Sequence, residues 1–197
     1  PDGAAYTFAH GLSQAPELVI GKDIEATARW WVYSAPVGNT EGMSLNETTA
    51  ATTSYGVWQD ETPSATVVYV DGDYTTDQEF VNYCFHSVPG YSKVGSFEGN
   101  TDADGTFVYT GFRPAWLMLK NVDRTAEWYM SNSKMSPYNV VTGLLKADDN
   151  AAEEDFANMV DYTSNGFKIR TADNAINTTT VLYLAFAESP FKYSNAR

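Results

Sequence analysis

The residues best suited to chemistry in this chain are oxygen-bearing side chains at alternate positions. Asn100, Asp102 and Asp104 precede Gly105, which matches the first half of a calcium loop, with oxygen ligands at alternate positions and glycine at the sixth. The twelfth position, where such a loop needs glutamate, is Gly111. Hairpin turns use the same residue types. The pattern favours a turn, with bound calcium as the alternative, and no other cofactor is expected.

Nucleophilic catalysis has few residues to use here. It needs a nucleophile and a base within hydrogen-bond reach, and the only imidazoles are His10, beside a turn glycine, and His86, which ends an apolar run. The single cysteine, Cys84, lies in that run, which predicts a buried, inert thiol. Glycosidases use two carboxyl groups that flank a cleft. A chain with 25 acidic residues brings some carboxyl pairs close together by chance, so such pairs do not indicate a glycosidase. We predict no enzymatic activity, and keep a polysaccharide-degrading enzyme as an alternative.

The elements that position these residues occur in two copies. Residues 10–22 return as 110–120, with proline, an apolar run and lysine in the same order. Two further pairs of matching segments follow in the same order: 28–34 with 126–131, and 83–89 with 184–190. A repeat of this size indicates a duplicated supersecondary assembly. A small, polar, glycine-rich junction at 95–105 places the boundary near Glu98, giving β-rich repeats at 1–97 and 98–197.

Strand signals dominate both copies. Short runs rich in Val, Tyr, Phe, Trp and Thr are separated by Gly, Pro, Asn and Asp, as in β-proteins. The predicted strands are 17–22, 29–34, 66–70, 80–86, 107–109, 116–121, 127–131, 166–171 and 180–187. Residues 148–159 predict one short helix, because two aspartates can cap it and apolar residues follow at near-helical spacing. The expected fold class is all-β: two tandem, related β-sandwich-like repeats, separate or interleaved into one sandwich, with one short helix.

Aligning the two copies assigns faces to the strand residues. The alignment places Trp31 on Trp128 and Trp30 on Glu127. Because alternate residues of a strand face opposite sides, one set is expected in the core: Trp31, Tyr33, Trp128 and Met130. Trp30 is expected near solvent or at an interface, since its counterpart is charged.

Aromatic side chains are the candidates for contact with a ligand or partner. Aromatic residues make up 14% of the chain, and their rings can stack on sugars or on other proteins. The candidates are Trp30, Trp58, Tyr74 and Tyr91, with Tyr55 and Trp116 as further rings that could be exposed. Their abundance favours packing in a core or at subunit contacts, with Trp30 as the best exception.

Charge and apolar-run length exclude two classes of partner. The net charge of −13 repels phosphate backbones, so nucleic acid is not expected as a partner. The longest apolar runs are far shorter than the roughly 20 residues that a membrane span requires, so membrane insertion is not expected either. The chain opens with Pro1 rather than methionine, which predicts a piece of a longer or processed polypeptide.

Three stretches of the sequence carry a family resemblance. They read GYSKVGSFEGN at 90–100, GTFVYTGFRPA at 105–115 and AFAESPFKYSNAR at 185–197. These patterns resemble a family of phage virion proteins of unknown detailed function, common among tail-fibre and related structural proteins of marine phages. The resemblance implies a non-enzymatic structural protein of the virion, acting in assembly and surface display. As a virion component the chain is expected to contact other virion proteins. We also expect a homo-oligomer, because symmetric association would bury the remaining aromatic surface. Recognition of a host surface glycan is the alternative function.

Overall fold

The computed structural model describes residues 6–71, 79–136 and 138–189. Within these ranges the chain is all-β, with fourteen strands and no helix, which confirms the predicted fold class apart from the helix. The strands are β1 Tyr6–Ala9, β2 Leu18–Asp23, β3 Trp30–Ser34, β4 Gly38–Ser44, β5 Val67–Val70, β6 Phe80–Phe85, β7 Ser92–Glu98, β8 Phe107–Tyr109, β9 Pro114–Asn121, β10 Tyr129–Asn132, β11 Val141–Lys146, β12 Glu154–Thr163, β13 Gly166–Ile169 and β14 Thr180–Ala187.

The chain forms two compact units, residues 1–86 (unit 1) and 87–197 (unit 2). Unit 1 has an antiparallel sheet in the order β4-β3-β2-β6 and a two-stranded sheet β1-β5. Aromatic and β-branched side chains from both sheets, such as Trp31, Tyr33 and Val68, form its core. Unit 2 has one eight-stranded sheet in the order β7-β14-β9-β10-β11-β12-β13-β8. Phe167 and Tyr183, from opposite halves of this sheet, meet in one core.

The two units share one strand order. The series β4-β3-β2-β6 of unit 1 reappears in unit 2 as β11-β10-β9-β14, and the pair β1-β5 reappears as β8-β13. Two additions distinguish unit 2. Strand β12 joins β11 to β13. At the equivalent place, the described part of unit 1 has an isolated bridge between Gly42 and Thr52. Strand β7 pairs with β14, whereas β2 is the one described strand paired with β6.

The predicted helix at residues 148–159 is wrong. Residues from Glu154 onward form β12, which pairs with β11 on one side and β13 on the other. The hydrogen bonds that β12 forms with its two neighbouring strands stabilise an extended chain more than the local sequence favours a helix. Helix and strand propensities are weak, and contacts with distant residues override them.

The predicted junction at residues 95–105 contains half of a strand. All seven residues of β7 pair with β14, from Ser92 opposite Phe186 to Glu98 opposite Thr180. The division between the two units therefore falls before β7, between His86 and Ser87, rather than near Glu98.

The strand register corrects the alignment of the tryptophans. Trp31 lies opposite Gly21 on β2, one residue before Lys22, and Tyr129 lies opposite Leu119 on β9, one residue before Lys120. Trp31 therefore corresponds to Tyr129, and Trp30 to Trp128. Trp31 and Tyr33 lie in the core of unit 1, as predicted. Trp128 is buried, but it alternates with Tyr129 and so lies on the other face of the sheet, because a one-residue slip exchanges the two faces.

Candidate functional site

The candidate site is a groove of about 560 Å³ on unit 1. Its lining includes the side chains of Lys22, Trp30, Asn46, Val81 and Tyr83. Volumes of this order are typical of small-molecule sites, which combine apolar and aromatic walls with a few polar groups.

The sheet of unit 1 places these side chains on one face. Lys22 on β2 lies opposite Trp30 on β3 and opposite Val81 on β6, so the three residues form one row across the sheet. Tyr83 is two residues further along β6 and therefore faces the same side. Trp30 and Tyr83 are separated by roughly 10 Å across the sheet and about 7 Å along it.

The loop after β2 forms one wall of the groove. Asp23 is buried, and its Oδ1 accepts hydrogen bonds from the backbone N–H groups of Glu25 (2.8 Å) and Ala26 (3.2 Å). The Lys22 ammonium donates to the backbone carbonyls of Asp23 and Ala26. These bonds hold the loop and direct the Lys22 side chain along it.

Asn46 fixes the start of β3. Its Oδ1 accepts hydrogen bonds from the Trp30 backbone N–H and from the Ser44 hydroxyl, both at 2.8 Å. The Leu45 N–H donates to the Trp30 carbonyl at 2.8 Å. The Trp30 backbone is therefore bonded on both sides, and the Asn46 side chain is exposed beside it.

Unit 2 contains the same arrangement in buried form. The Trp128 backbone N–H donates to Asp148 Oδ1 at 2.8 Å, and the Ala147 N–H donates to the Trp128 carbonyl at 2.9 Å. Lys120 donates to the Ala126 carbonyl at 2.7 Å and lies 5.9 Å from the centre of the Trp128 ring. Lys120 and Trp128 are fully buried, whereas Lys22 and Trp30 are partly exposed.

The groove face of unit 1 is exposed, whereas the equivalent sheet face of unit 2 is buried. Val81 and Tyr83 are 38% and 49% exposed. Their counterparts on β14, Leu182 and Leu184, are 2% and 3% exposed. The same strand order thus carries a buried face in unit 2 and an accessible groove in unit 1.

A protein family is assigned by a match over nearly the whole chain. The family model described as "Domain of unknown function (DUF7483)" matches residues 1–190. The chain belongs to the DUF7483 family. No curated protein and no solved structure matches it. The family description names no ligand.

The aromatic residues predicted to contact a ligand or partner differ in location and exposure in the structure. Trp30 lines the groove. Trp58 is wrong as an exposed candidate, because it is 2% exposed and its ring packs edge-on against Tyr33 in the core of unit 1 at 5.7 Å. Tyr91 is exposed in unit 2, on the turn before β7, with its ring 6.0 Å from that of Phe186. Tyr74 lies outside the described residues.

The remaining two rings are only partly accessible. Tyr55 is half-buried against Trp31, with ring centres 5.1 Å apart. Trp116 is half-buried against Phe186, with ring centres 5.8 Å apart.

Of the five groove residues named above, four are not predicted from sequence: Lys22, Asn46, Val81 and Tyr83. The repeat holds a signal for one of these four, since an alignment without a gap pairs Lys22 with Lys120, in the same register that pairs Trp30 with Trp128.

The calcium candidate is folded as a turn. Asn100 Oδ1 accepts from the Asp102 N–H at 3.1 Å, and Asp102 Oδ1 accepts from the Asp104 N–H at 2.8 Å. Asp104 Oδ1 pairs with the Lys168 ammonium at 2.6 Å and with Arg170 at 3.3 Å, and the hydrogen bond from Lys168 lowers the pKa of Asp104. The described residues contain no group of three or more His, Cys, Asp or Glu side chains that could hold a metal ion.

The other reactive side chains have structural contacts. His10 Nδ1 accepts from the Leu12 N–H at 3.1 Å, and its Nε2 lies 3.2 Å from the Ser64 carbonyl. Burial raises the pKa of the Cys84 thiol to about 11, which keeps it protonated near neutral pH. In the described part of the chain, no helix is long and apolar enough to cross a membrane.

Burial lowers the pKa of Lys120 to about 8, which predicts a pH-dependent stability. Above that value the folded protein loses a proton that the unfolded chain keeps up to about pH 10.4. The unfolded state then binds more protons, so the free energy of unfolding rises with pH. We expect Lys120 to contribute a rise of about 1 to 2 kcal/mol between pH 8 and 9.5. Because the raised pKa of Cys84 contributes a fall over the same range, the rise is measured by urea unfolding as the difference between the wild type and a variant without Lys120.

Lys120→Met is the control for this pH effect. It removes the titrating group, so the free energy of unfolding of the variant should lack the rise. The Cys84 thiol and the other ionisable groups contribute alike to both proteins, and the difference therefore isolates Lys120. Equal slopes for the two proteins would contradict the prediction.

Proposed function

We propose that this chain is a non-enzymatic structural protein of a bacteriophage virion, acting in assembly and surface display on a tail fibre, tail or other appendage. Its partners are further copies of itself and other virion proteins. The proposal rests on the three sequence stretches that resemble phage virion proteins and on how the described parts of those stretches pack.

The observation that carries the proposal is that the three stretches meet in one packed region of unit 2. The Ala187 N–H donates to the Tyr91 carbonyl, and the Glu188 N–H donates to the Arg113 carbonyl, both at 2.8 Å. The Arg113 guanidinium pairs with the Glu188 carboxylate at 3.0 Å. The motif residues thus bond to one another, which supports a role in building the fold rather than in catalysis.

The surface of unit 2 supports a role in assembly. Phe107, Tyr109 and Tyr138 are exposed by 47%, 66% and 82%. Exposed aromatic side chains are enriched at protein interfaces, where they supply much of the binding energy. Such residues suit contacts between copies of the chain or with neighbouring virion proteins.

Two alternatives require features of their own. A host-recognition module needs a ligand site at the surface, with aromatic rings beside polar side chains. A polysaccharide-degrading enzyme needs two carboxyl groups about 5 to 10 Å apart across a substrate cleft, and turnover of a host polysaccharide would establish it.

The proposal predicts that the chain is a component of particles. Virions of the phage that encodes the chain, purified by density gradient, should contain it in a fixed ratio to the major capsid protein by quantitative mass spectrometry. Cryo-electron microscopy of the same particles should locate two β-rich densities per copy. A cytosolic protein of the host serves as the contamination control. Absence of the chain from particles free of that control protein would refute the virion assignment.

A further inference from the structure

We propose that the groove of unit 1 formed by Lys22, Trp30, Asn46, Val81 and Tyr83 is a binding site for an oligosaccharide. This inference does not depend on the virion assignment, because it rests on the groove alone. It assigns a ligand class to a surface that carries no assignment in the family description.

The groove has an accessible apolar surface. Val81 and Tyr83 are exposed on β6, and Ile24, on the loop after β2, is 56% exposed. All three line the groove together with the partly exposed Trp30. Soluble proteins seldom leave several large apolar side chains exposed in one place unless that place binds something.

The equivalent face of unit 2 is buried and carries different side chains at two positions. The position of Tyr83 is held there by Leu184 and that of Asn46 by Asp148, according to the strand registers. Unit 1 therefore presents a phenol and a neutral amide where unit 2 has an alkyl group and a carboxylate. Both substitutions add groups that donate and accept hydrogen bonds without adding charge.

The side chains of the groove together match the chemistry of a sugar. A sugar ring has an apolar face of C–H groups and a rim of hydroxyls, so it needs an aromatic surface beside hydrogen-bonding side chains. Trp30 and Tyr83 supply the rings. Asn46 supplies an amide whose NH₂ donates to no described residue. Lys22 carries three N–H donors, and two of them reach backbone carbonyls, which leaves the third for a ligand.

The residues that carry the two rings lie well apart on the sheet. The backbone positions of Trp30 and Tyr83 are separated by roughly 10 Å across the sheet and about 7 Å along it, a spacing that suits two sugar units better than one. An oligosaccharide can place different rings of its chain on Trp30 and on Tyr83 and lie across Lys22 between them. The same spacing disfavours a monosaccharide as the full ligand.

The backbone of the site is preorganised for such a ligand. Asp23 holds the loop beside Lys22, and Asn46 holds the start of β3, through hydrogen bonds of 2.8 Å to backbone N–H groups. A site that is already ordered loses less conformational entropy when it binds. Unit 2 retains the Trp128 to Asp148 bond at the same distance, so this ordering is common to both copies.

The test is a glycan array probed with the fluorescently labelled full chain, followed by saturation-transfer NMR with the strongest oligosaccharide found. We expect binding to at least one oligosaccharide, with transfer to its ring protons. Trp30→Ala should weaken the affinity at least tenfold. Tyr83→Leu, which installs the residue type of unit 2, should weaken it severalfold and serves as the second variant if Trp30→Ala does not fold.

The control variant is Tyr109→Leu, which removes an exposed tyrosine of unit 2 and should leave the affinity unchanged. Binding to no glycan on the array would overturn the proposal, as would binding that neither groove variant weakens. Sedimentation of the unliganded chain supplies a further outcome. A concentration-dependent dimer that Trp30→Ala dissociates would assign the groove to self-association instead. None of these outcomes bears on whether the chain is present in virions, so the two proposals fail separately.

Discussion

Trp31→Ala is expected to lower the free energy of unfolding by about 3 to 5 kcal/mol, as replacement of a buried aromatic side chain does. Trp31 is 2% exposed and lies in the core of unit 1. Its ring packs edge-on against Tyr55 at 5.1 Å, and the Arg29 guanidinium lies 5.5 Å from its centre. Alanine would leave a cavity among these groups. Urea denaturation followed by circular dichroism measures the change.

The adjacent tryptophan is the matched control. Trp30 lies on the groove side of the same strand, so Trp30→Ala should change the free energy of unfolding by less than about 1 kcal/mol. The two variants remove the same side chain from neighbouring positions, and only the face of the sheet differs. Equal losses of stability for the two variants would refute the assignment of faces.

Asn177→Ala should destabilise unit 2 by about 2 to 4 kcal/mol, because it leaves several backbone groups without partners. Asn177 is fully buried. Its Oδ1 accepts from the Asn100 N–H at 3.1 Å, and its Nδ2 donates to the carbonyls of Asp102 and Thr171, both at 2.7 Å. One amide thus joins the loop after β7 to the loop after β13. Thermal and urea unfolding both measure the effect.

Asn174→Ala provides the comparison for this amide. Asn174 is exposed and lies on the same loop, so its replacement should change the free energy of unfolding by no more than about 0.5 kcal/mol. A loss for Asn177→Ala as small as that for Asn174→Ala would mean that water replaces the buried hydrogen bonds without cost.

Strands with strong residue preferences were predictable from sequence. β3 and β14 carry Trp, Tyr, Val and Phe in short runs, and such residues favour a pleated, half-buried surface. β7 was not predicted as a strand, because its sequence SKVGSFE has the glycine and polar residues of a loop. It is a strand because all seven of its residues pair with β14. That pairing partner lies about 80 residues later, so the local sequence of β7 does not reveal it.

The candidate site was only partly predictable for a related reason. Alternation along β3 separates Trp30 from Trp31 and predicts their opposite faces. The other ground for expecting Trp30 at the surface, a charged counterpart at Glu127, is wrong, because the strand registers pair Trp30 with Trp128. Val81 and Tyr83 lie on β6, about fifty residues later, and no local pattern shows that β6 pairs with β2. The burial of Trp58 also depends on contacts with distant strands, and its local sequence resembles that of an exposed turn.

The pairing of β7 with β14 has a consequence for synthesis on the ribosome. Glu98 pairs with Thr180, so about 80 residues are added between them, which takes several seconds at about 5 to 20 residues per second. During that interval β7 lacks β14, which is its one neighbour among the described strands. Lys93 and Glu98 place charges on β7 while it is unpaired. Charged side chains on an unpaired strand disfavour its pairing with strands of other chains.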